Sequence, residues 1–287
     1  MLYAFFDPTG AFDRPAMTRQ VEAVLSSGSH GVAVLGLATE VNKLDTGERR
    51  ALLDIVAETL DGKLPLAVTV AEPSIEGQIA FARAARDNGA QWIVLQPPPV
   101  RQANETELVR FFGAVADRVD LPVAIQNAPA YIGVGLSIPA MATLHRNHPN
   151  VALLKAEGPA VYLRRLIEET DGVFRVFNGR AGMELTDSLR AGCVGMIPGV
   201  DACDVESEIY ALYQAGETDA ADERFRRLLP LLTFLMEDVD TLLCYGKRLT
   251  ARRLGIGEVH DRAPTVEPTP FGLSLLDRLA LDLPPFP

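Results

Sequence analysis

Residues 66–96 read LAVTVAEPSIEGQIAFARAARDNGAQWIVLQ. The run 66–70 is apolar and β-branched, and 92–95 repeats that pattern. Between them, 74–88 carries helical spacing, opened by Ser74 with Glu76 close behind and closed by Gly89. A strand, a helix and a second strand in this order form the βαβ unit of a parallel sheet. The same couple recurs on both sides. Strands are expected at 2–6, 32–35, 66–70, 92–95, 123–126, 151–154, 174–177 and 194–197. Helical patterns follow them at 15–27, 46–60, 74–88, 104–117, 137–147, 159–169, 180–191 and 203–214, with Thr46 standing before GERRALL. Eight couples spaced by roughly 20 to 35 residues predict an α/β fold of the (β/α)8 TIM-barrel type, whose usual size is about 250 residues.

A doubly wound sheet is the competing arrangement, and it would show a glycine fingerprint after its first strand. Phe5-Phe6-Asp7-Pro8-Thr9-Gly10 is not one. Gly133-Val134-Gly135 lacks the third glycine and does not stand between a strand and a helix. Residues 216–287 break the alternation. They read as helices near 217–239, 240–254 and 271–280, joined by the proline-rich DRAPTVEPTPFG. The expected division is a barrel over 1–215 and a helical C-terminal extension over 216–287, packed on the barrel.

Composition narrows the function classes. Among 287 residues, 48% are hydrophobic and 23% charged, an ordinary globular balance. Lys and Arg number 27 against 38 Asp and Glu, a net charge of −11. An acidic surface repels phosphate backbones and anionic lipid, which argues against nucleic-acid and membrane partners. No apolar run reaches the roughly 18 to 20 residues a bilayer span needs. The N-terminus lacks a basic region and is interrupted by Asp7 and Pro8, so it does not read as a signal peptide. Cys193, Cys203 and Cys244 are odd in number and without ligand spacing. A reduced, cytoplasmic protein is expected.

In a barrel of this type the working residues lie where strands end. Those ends are Gly36-Leu37-Ala38-Thr39-Glu40, Gln96-Pro97-Pro98-Pro99, Gln126-Asn127-Ala128-Pro129, Lys155-Ala156-Glu157-Gly158, Asn178-Gly179-Arg180 and Ile197-Pro198-Gly199. Lys155 closes the apolar run 151–154. Strand side chains alternate, so Val151, Leu153 and Lys155 are expected on one face. If that face is the interior, desolvation disfavours the ammonium and lowers its pKa from the reference near 10.4. A neutral amine can attack a ketone and form a Schiff base. The alternative is a strand-end lysine reaching into water, and the pattern alone does not decide between them. Glu157, two residues on, projects to the same side if the chain stays extended. There it can move protons and stabilise an iminium, while opposing the desolvation of the lysine.

These residues, taken together, resemble the dihydrodipicolinate synthase / N-acetylneuraminate lyase family of lysine Schiff-base barrels. Gly31-x4-Gly36-x3-Glu40-x3-Leu44-x3-Glu48 is similar to its G-x4-G-T-T-G-E-x3-L-x3-E signature. Leu95-Gln96-Pro97-Pro98 resembles the segment ending in P-P-Y-Y, Asn127-Ala128-Pro129 the Y-N-x-P, Leu154-Lys155 the G-x-K, and Asn178-Gly179 the late S/N-G. The resemblance spans about 1–255. It implies a barrel acting on small 2-oxo acids through Lys155 as nucleophile, with no metal or other cofactor, assembled as a homo-oligomer (tetramer or dimer). It also implies substrate-binding positions at Leu37, Ala38, Thr39, Asn178, Gly179, Arg180 and Ile197.

The departures narrow the chemistry. The paired threonines that hold the substrate carboxylate fall on Leu37 and Ala38, although the backbone N–H groups of that loop can bind an anion and Thr39 offers a displaced hydroxyl. The tyrosine before N-x-P is Gln126, the second tyrosine of P-P-Y-Y is Val100, and the second-carboxylate arginine falls on Tyr131. An amide has no pKa near neutrality and cannot replace a phenol in proton transfer. Lysine followed two residues later by glutamate, with glutamine in place of the tyrosine, resembles the 2-keto-3-deoxy-sugar-acid dehydratase branch, especially the L-2-keto-3-deoxyarabonate dehydratases. That resemblance implies Lys155, Glu157 and Gln126 as the catalytic set. Arg180 is expected either to bind a distal substrate group or to form a surface ion pair.

Three other readings stand beside this one. A metal-dependent lyase needs clustered ligands, and His30, His145, His148 and His260 are scattered. A 2-oxo-acid aldolase would keep Lys155 but release pyruvate by cleaving a carbon–carbon bond. A non-catalytic small-molecule-binding barrel would bind 2-oxo acids without a covalent adduct.

Overall fold

The computed structural model describes residues 1–100 and 103–286. Residues 101, 102 and 287, inside the expected 1–215 and 216–287 spans, lie outside the described ones. In chain order the elements are α1 (Arg14–Ser26), β1 (Val32–Val34), α2 (Thr46–Leu60), β2 (Leu66–Val70), α3 (Ile75–Asp87), β3 (Trp92–Leu95) and α4 (Glu105–Ala116). There follow β4 (Val123–Asn127), α5 (Pro129–Ile132), α6 (Ile138–Asn147), β5 (Val151–Ala156), α7 (Ala160–Glu169), β6 (Arg175–Asn178), α8 (Leu185–Arg190) and β7 (Gly195–Met196). The C-terminal elements are α9 (Cys203–Gln214), α10 (Thr218–Leu235), α11 (Val239–Thr241), α12 (Lys247–Arg253) and α13 (Pro270–Leu279). The fold class is α/β.

The chain divides into two compact units. One comprises Pro65–Arg180 and Asp187–Ile197. In it, β2 to β7 run parallel, each paired with the next in sequence order. β2 and β4 are buried at every position, as expected of strands covered on both faces. Val94, Ala124 and Leu153 meet in a buried cluster joined by Trp92, Ala152 and Phe177, and the Trp92 and Phe177 rings stack at 5.4 Å. Each fully buried Val or Leu contributes about 1.5–3 kcal/mol. The helices start where side chains can cap them: Ser74, Asn104 and Ser137 each accept a hydrogen bond from a first-turn N–H, worth about 1 kcal/mol apiece. Gly89 closes the α3 turn at φ +81°, a conformation that favours glycine. The register between β4 and β5 shifts at Val123/Ala124, so strict alternation along β5 holds from Leu153 onward.

The other unit comprises Met1–Leu64, Ala181–Thr186 and the C-terminal stretch from Pro198. Asp45 and Glu48 form a reciprocal capping box on α2. Arg253 of α12 pairs with Asp204 of α9 at 2.6 Å. The three cysteines are buried and free, and burial pushes the Cys193 thiol up to about 12 and that of Cys203 to about 11. Among the described residues no helix is long and apolar enough to cross a membrane.

Two expectations are corrected. The segment 2–6 is buried but is not a strand, so among the described residues seven strands stand where eight were expected. Leu2 N donates to Ala33 O at 2.9 Å, but the next backbone groups are taken by side chains of α1. Tyr3 N donates to Gln20 Oε1 at 2.8 Å, Gln20 Nε2 donates to Tyr3 O at 3.0 Å, and Phe5 N contacts Met17 Sδ at 3.4 Å. With those groups engaged, no ladder forms. Second, the helix expected over 180–191 is broken: a short turn at Arg180–Gly182, with Ala181 at φ 48°, precedes α8. The helix expected over 240–254 is present as a continuous helical run of α11, a π-helical turn at Leu242–Gly246 and α12.

Candidate active site

The end of β5 carries Lys155 beside Gln126 of β4 and Phe177 of β6 in the ladder register. Neighbours in parallel register project the same way, so Gln126 and Lys155 share a face with Leu153. Lys155, Gln126 and Glu157 are 5%, 1% and 9% exposed. The Lys155 ammonium donates to Glu157 Oε1. Gln126 Nε2 donates to the same oxygen at 2.9 Å. The chain remains extended through Ala156, and Glu157 N donates to Asn127 O at 3.1 Å, which holds the carboxylate on the lysine side.

Two further amides stand behind this trio. Gln96, at the end of β3, donates from Nε2 to Gln126 Oε1 at 2.8 Å. Gln78, fully buried on α3, donates from Nε2 to Gln96 O at 2.9 Å and to Glu72 O at 3.0 Å. The position of Gln96 at a strand end is visible in the sequence. The contribution of Gln78 is not, because a polar residue inside a helical pattern carries no sign of what it reaches.

Glycines make room for these groups. A Cβ on Gly179 would stand 2.9 Å from Glu157 Cδ and 3.1 Å from its Oε2. Gly179 therefore lets the carboxylate lie against the backbone that follows β6. A Cβ on Gly135 would stand 2.6 Å from Asn127 Oδ1, which accounts for one glycine of the 133–135 motif. Asn127 braces that loop: Leu136 N donates to its Oδ1 at 2.8 Å, and its Nδ2 donates to Leu136 O at 3.1 Å. The Tyr162 hydroxyl lies 3.4 Å from Asn127 Nδ2, and burial raises its pKa.

The remaining predicted positions divide. Asn178 is fully buried, and its amide is engaged within the chain. Nδ2 donates to Gly158 O at 3.1 Å and Ser188 Oγ at 3.0 Å, and Oδ1 accepts from Gly179 N at 2.8 Å. Ile197 N donates to Asn178 O at 2.8 Å. Arg180 follows Gly179 at φ 55°, a left-handed conformation that costs a non-glycine residue on the order of 1–3 kcal/mol.

Leu37, Ala38 and Thr39 belong to the other unit, in a loop between two left-handed residues, Leu35 at φ 65° and Glu40 at φ 57°. The Thr39 hydroxyl is not a displaced free donor. It donates to Leu2 O at 2.6 Å and accepts from Leu35 N at 3.0 Å, so it shapes the loop. The N–H groups of Thr39, Glu40 and Val41 turn inward to Gly36 and Leu37 carbonyls, and those of Leu37 and Ala38 lie outside that internal set. Among the described residues no group of three or more His, Cys, Asp or Glu is placed to hold a metal ion.

A sequence profile describing the dihydrodipicolinate synthetase family matches residues 1–266. The chain is 31% identical over 238 residues to a 4-hydroxy-tetrahydrodipicolinate synthase of Methanosphaerula palustris, covering 81% of this chain and 80% of that protein. It is 29% identical over 233 residues to an L-2-keto-3-deoxyarabonate dehydratase of Azospirillum brasilense, covering 79% and 75%. Among solved structures, a dihydrodipicolinate synthase of Thermotoga maritima superposes with a TM-score of 0.90 at 24% identity, covering 98% of this chain and 96% of that one.

Proposed function

The chain belongs to the dihydrodipicolinate synthetase family of lyases, and from that premise we propose that it dehydrates a short 2-keto-3-deoxy sugar acid through a Schiff base on Lys155. The observation that carries the proposal is the buried Lys155–Glu157 pair with an amide, Gln126, as its neutral neighbour. An amide donates and accepts hydrogen bonds but does not titrate near neutrality. Acid–base work at this lysine therefore falls on Glu157.

The steps follow from the geometry. The proton shared by the pair passes to Glu157, and the Lys155 amine attacks the C2 ketone of the 2-oxo acid. Glu157 returns that proton to the carbinolamine hydroxyl, which leaves as water, and the iminium formed acidifies C3. Glu157 removes a C3 proton, and the resulting enamine expels the C4 hydroxyl as water, protonated by the same carboxylate. Hydrolysis and tautomerisation release the dioxo acid and restore the lysine. For a 2-keto-3-deoxy-L-arabonate-like substrate the product is 2,5-dioxopentanoate. The similarity to an L-2-keto-3-deoxyarabonate dehydratase supports this reading.

In this proposal residues 1–215 make up the barrel domain and 216–287 a helical extension. In the other unit, Leu37 and Ala38 offer backbone N–H groups to an anion, with Thr39 holding their loop. Gly179, Arg180 and Ile197 border the distal end of the substrate, and Asn178 shapes the turn between them. The enzyme works without metal or other cofactor, as a cytoplasmic homo-oligomer. A second reading, a pyruvate-releasing 2-oxo-acid aldolase, is favoured by the 31% identity to a synthase. A panel of 2-keto-3-deoxy acids, assayed separately for loss of water and for pyruvate, tests the proposal. Intact-length dioxo acid from the wild type, and none from Lys155→Ala, is expected. Stoichiometric pyruvate plus an aldehyde would replace it with the aldolase.

A further inference from the structure

Building on the Schiff-base reading, we propose that Gln96 is a positioning residue: it sets which end of the Gln126 amide faces Glu157. The two ends of an amide have nearly the same shape and opposite hydrogen-bonding character. Gln126 lies between two partners that demand different ends. Gln96 Nε2 reaches Gln126 Oε1 at 2.8 Å, which leaves Gln126 Nε2 to donate to Glu157 Oε1 at 2.9 Å. Turning the Gln126 amide over would bring donor to donor at Gln96 and oxygen to oxygen at Glu157. All three side chains are buried, so water does not relieve such a mismatch.

The strand end carrying Gln96 is itself fixed. Gln96 N donates to Val70 O at 3.0 Å, and Gln96 O accepts from Gln78 Nε2 at 2.9 Å. The Nε2 donors of Gln96 and Gln126 both point along this chain of bonds toward the carboxylate. A phenol at position 126 could exchange its donor and acceptor roles during a reaction, whereas this amide, with its direction set, holds one role. The Glu157 oxygen that meets Lys155 therefore also meets a donor from Gln126 rather than an oxygen. The charged group in direct contact with Glu157 is Lys155 on the same strand.

The test reads the adduct rather than turnover: the rate of borohydride-trapped pyruvate at Lys155 as a function of pH. In Gln96→Met the acid limb of that profile is expected to move up by about one pH unit, a roughly tenfold slower reaction on that limb. Gln96→Glu keeps the shape but presents an acceptor to Gln126. It is expected to shift the limb in the same direction and further, and it decides the matter should Gln96→Met fold poorly. In a Gln126→Ala background Gln96→Met is expected to add nothing, because its route is gone. A Gln96→Met or Gln96→Glu profile that superimposes on the wild type overturns the positioning role alone, as does a full Gln96→Met effect in the Gln126→Ala background. No adduct in the wild type overturns the Schiff-base reading and this role with it.

Discussion

Lys155 and Lys247 are both buried and both held by a glutamate, but their surroundings differ. Glu157 lies two residues from its lysine, and among the described residues Lys155 is its one ionic partner. Glu40 is 207 residues from Lys247 and binds Lys43 as well, at 2.6 Å. Lys247 in turn contacts Asp261 at 3.2 Å, Arg248 reaches the second oxygen of Asp261 at 2.6 Å, and the Phe6 ring lies 5.5 Å from the Lys247 ammonium. One cluster ties distant segments by giving Glu40, Lys247 and Asp261 two opposite partners each. The other sets a single amine against a single carboxylate whose remaining support is a neutral amide. The first arrangement resists change; in the second, the amine has one ionic partner to give up, as the proposed covalent chemistry requires.

The largest expected effect comes from breaking the simpler pair. Lys155→Ala is predicted to lower turnover by more than about 10⁴-fold, since it removes the nucleophile, while the urea-unfolding curve stays cooperative. Near-wild-type turnover would show that the amine is only a structural charge. Lys247→Met reverses the pattern. It leaves the buried Glu40 and the half-buried Asp261 without their shared cation, a change expected to cost about 3–5 kcal/mol in urea unfolding. The borohydride adduct at Lys155 should still form, and unaltered stability would mean the network adds nothing to the fold.

Glu157→Gln sharpens the assignment inside the simpler pair. Covalent capture is expected to persist, more slowly, while dehydration falls by about 10²–10⁴-fold, the usual range for a lost acid–base group. Equal losses in capture and dehydration would remove the separate role at C3. Glu206 supplies the contrasting case of a buried carboxylate with neither oxygen hydrogen-bonded. Burial first, then the charge of Asp201, raises its pKa well above the ordinary value. The folded state therefore holds a proton that the unfolded state releases. Stability from this group is complete below the unfolded carboxylate pKa and is lost as pH rises toward the folded one, at up to about 1.4 kcal/mol per pH unit in that window. Glu206→Gln is expected to flatten that slope in unfolding curves measured across it, and an unchanged slope would remove Glu206 as its source.

The sequence was most legible where burial is continuous. The runs 66–70 and 92–95 coincide with β2 and β3 because every position but Trp92 is buried and apolar or β-branched. The run 2–6 carries the same signal, yet Gln20 and Met17 take its backbone groups, and no local pattern announces a side chain that does so from a helix. The placement of Glu157 beside Lys155 followed from strand alternation. The reach of Gln96 and Gln78 did not, because it depends on how three separate segments meet. Thr39 and Asn178 look like free polar groups at strand ends, but each is engaged by backbone two or more residues away.

The central claim is that the Lys155 amine forms a covalent bond with the substrate. Wild-type protein incubated with 2-keto-3-deoxy-L-arabonate and borohydride, digested and analysed by mass spectrometry, tests it directly. A reduced adduct confined to the peptide containing Lys155, and missing from Lys155→Ala, is the predicted result. Turnover of the substrate with an unmodified Lys155, or an adduct on another lysine, would contradict it.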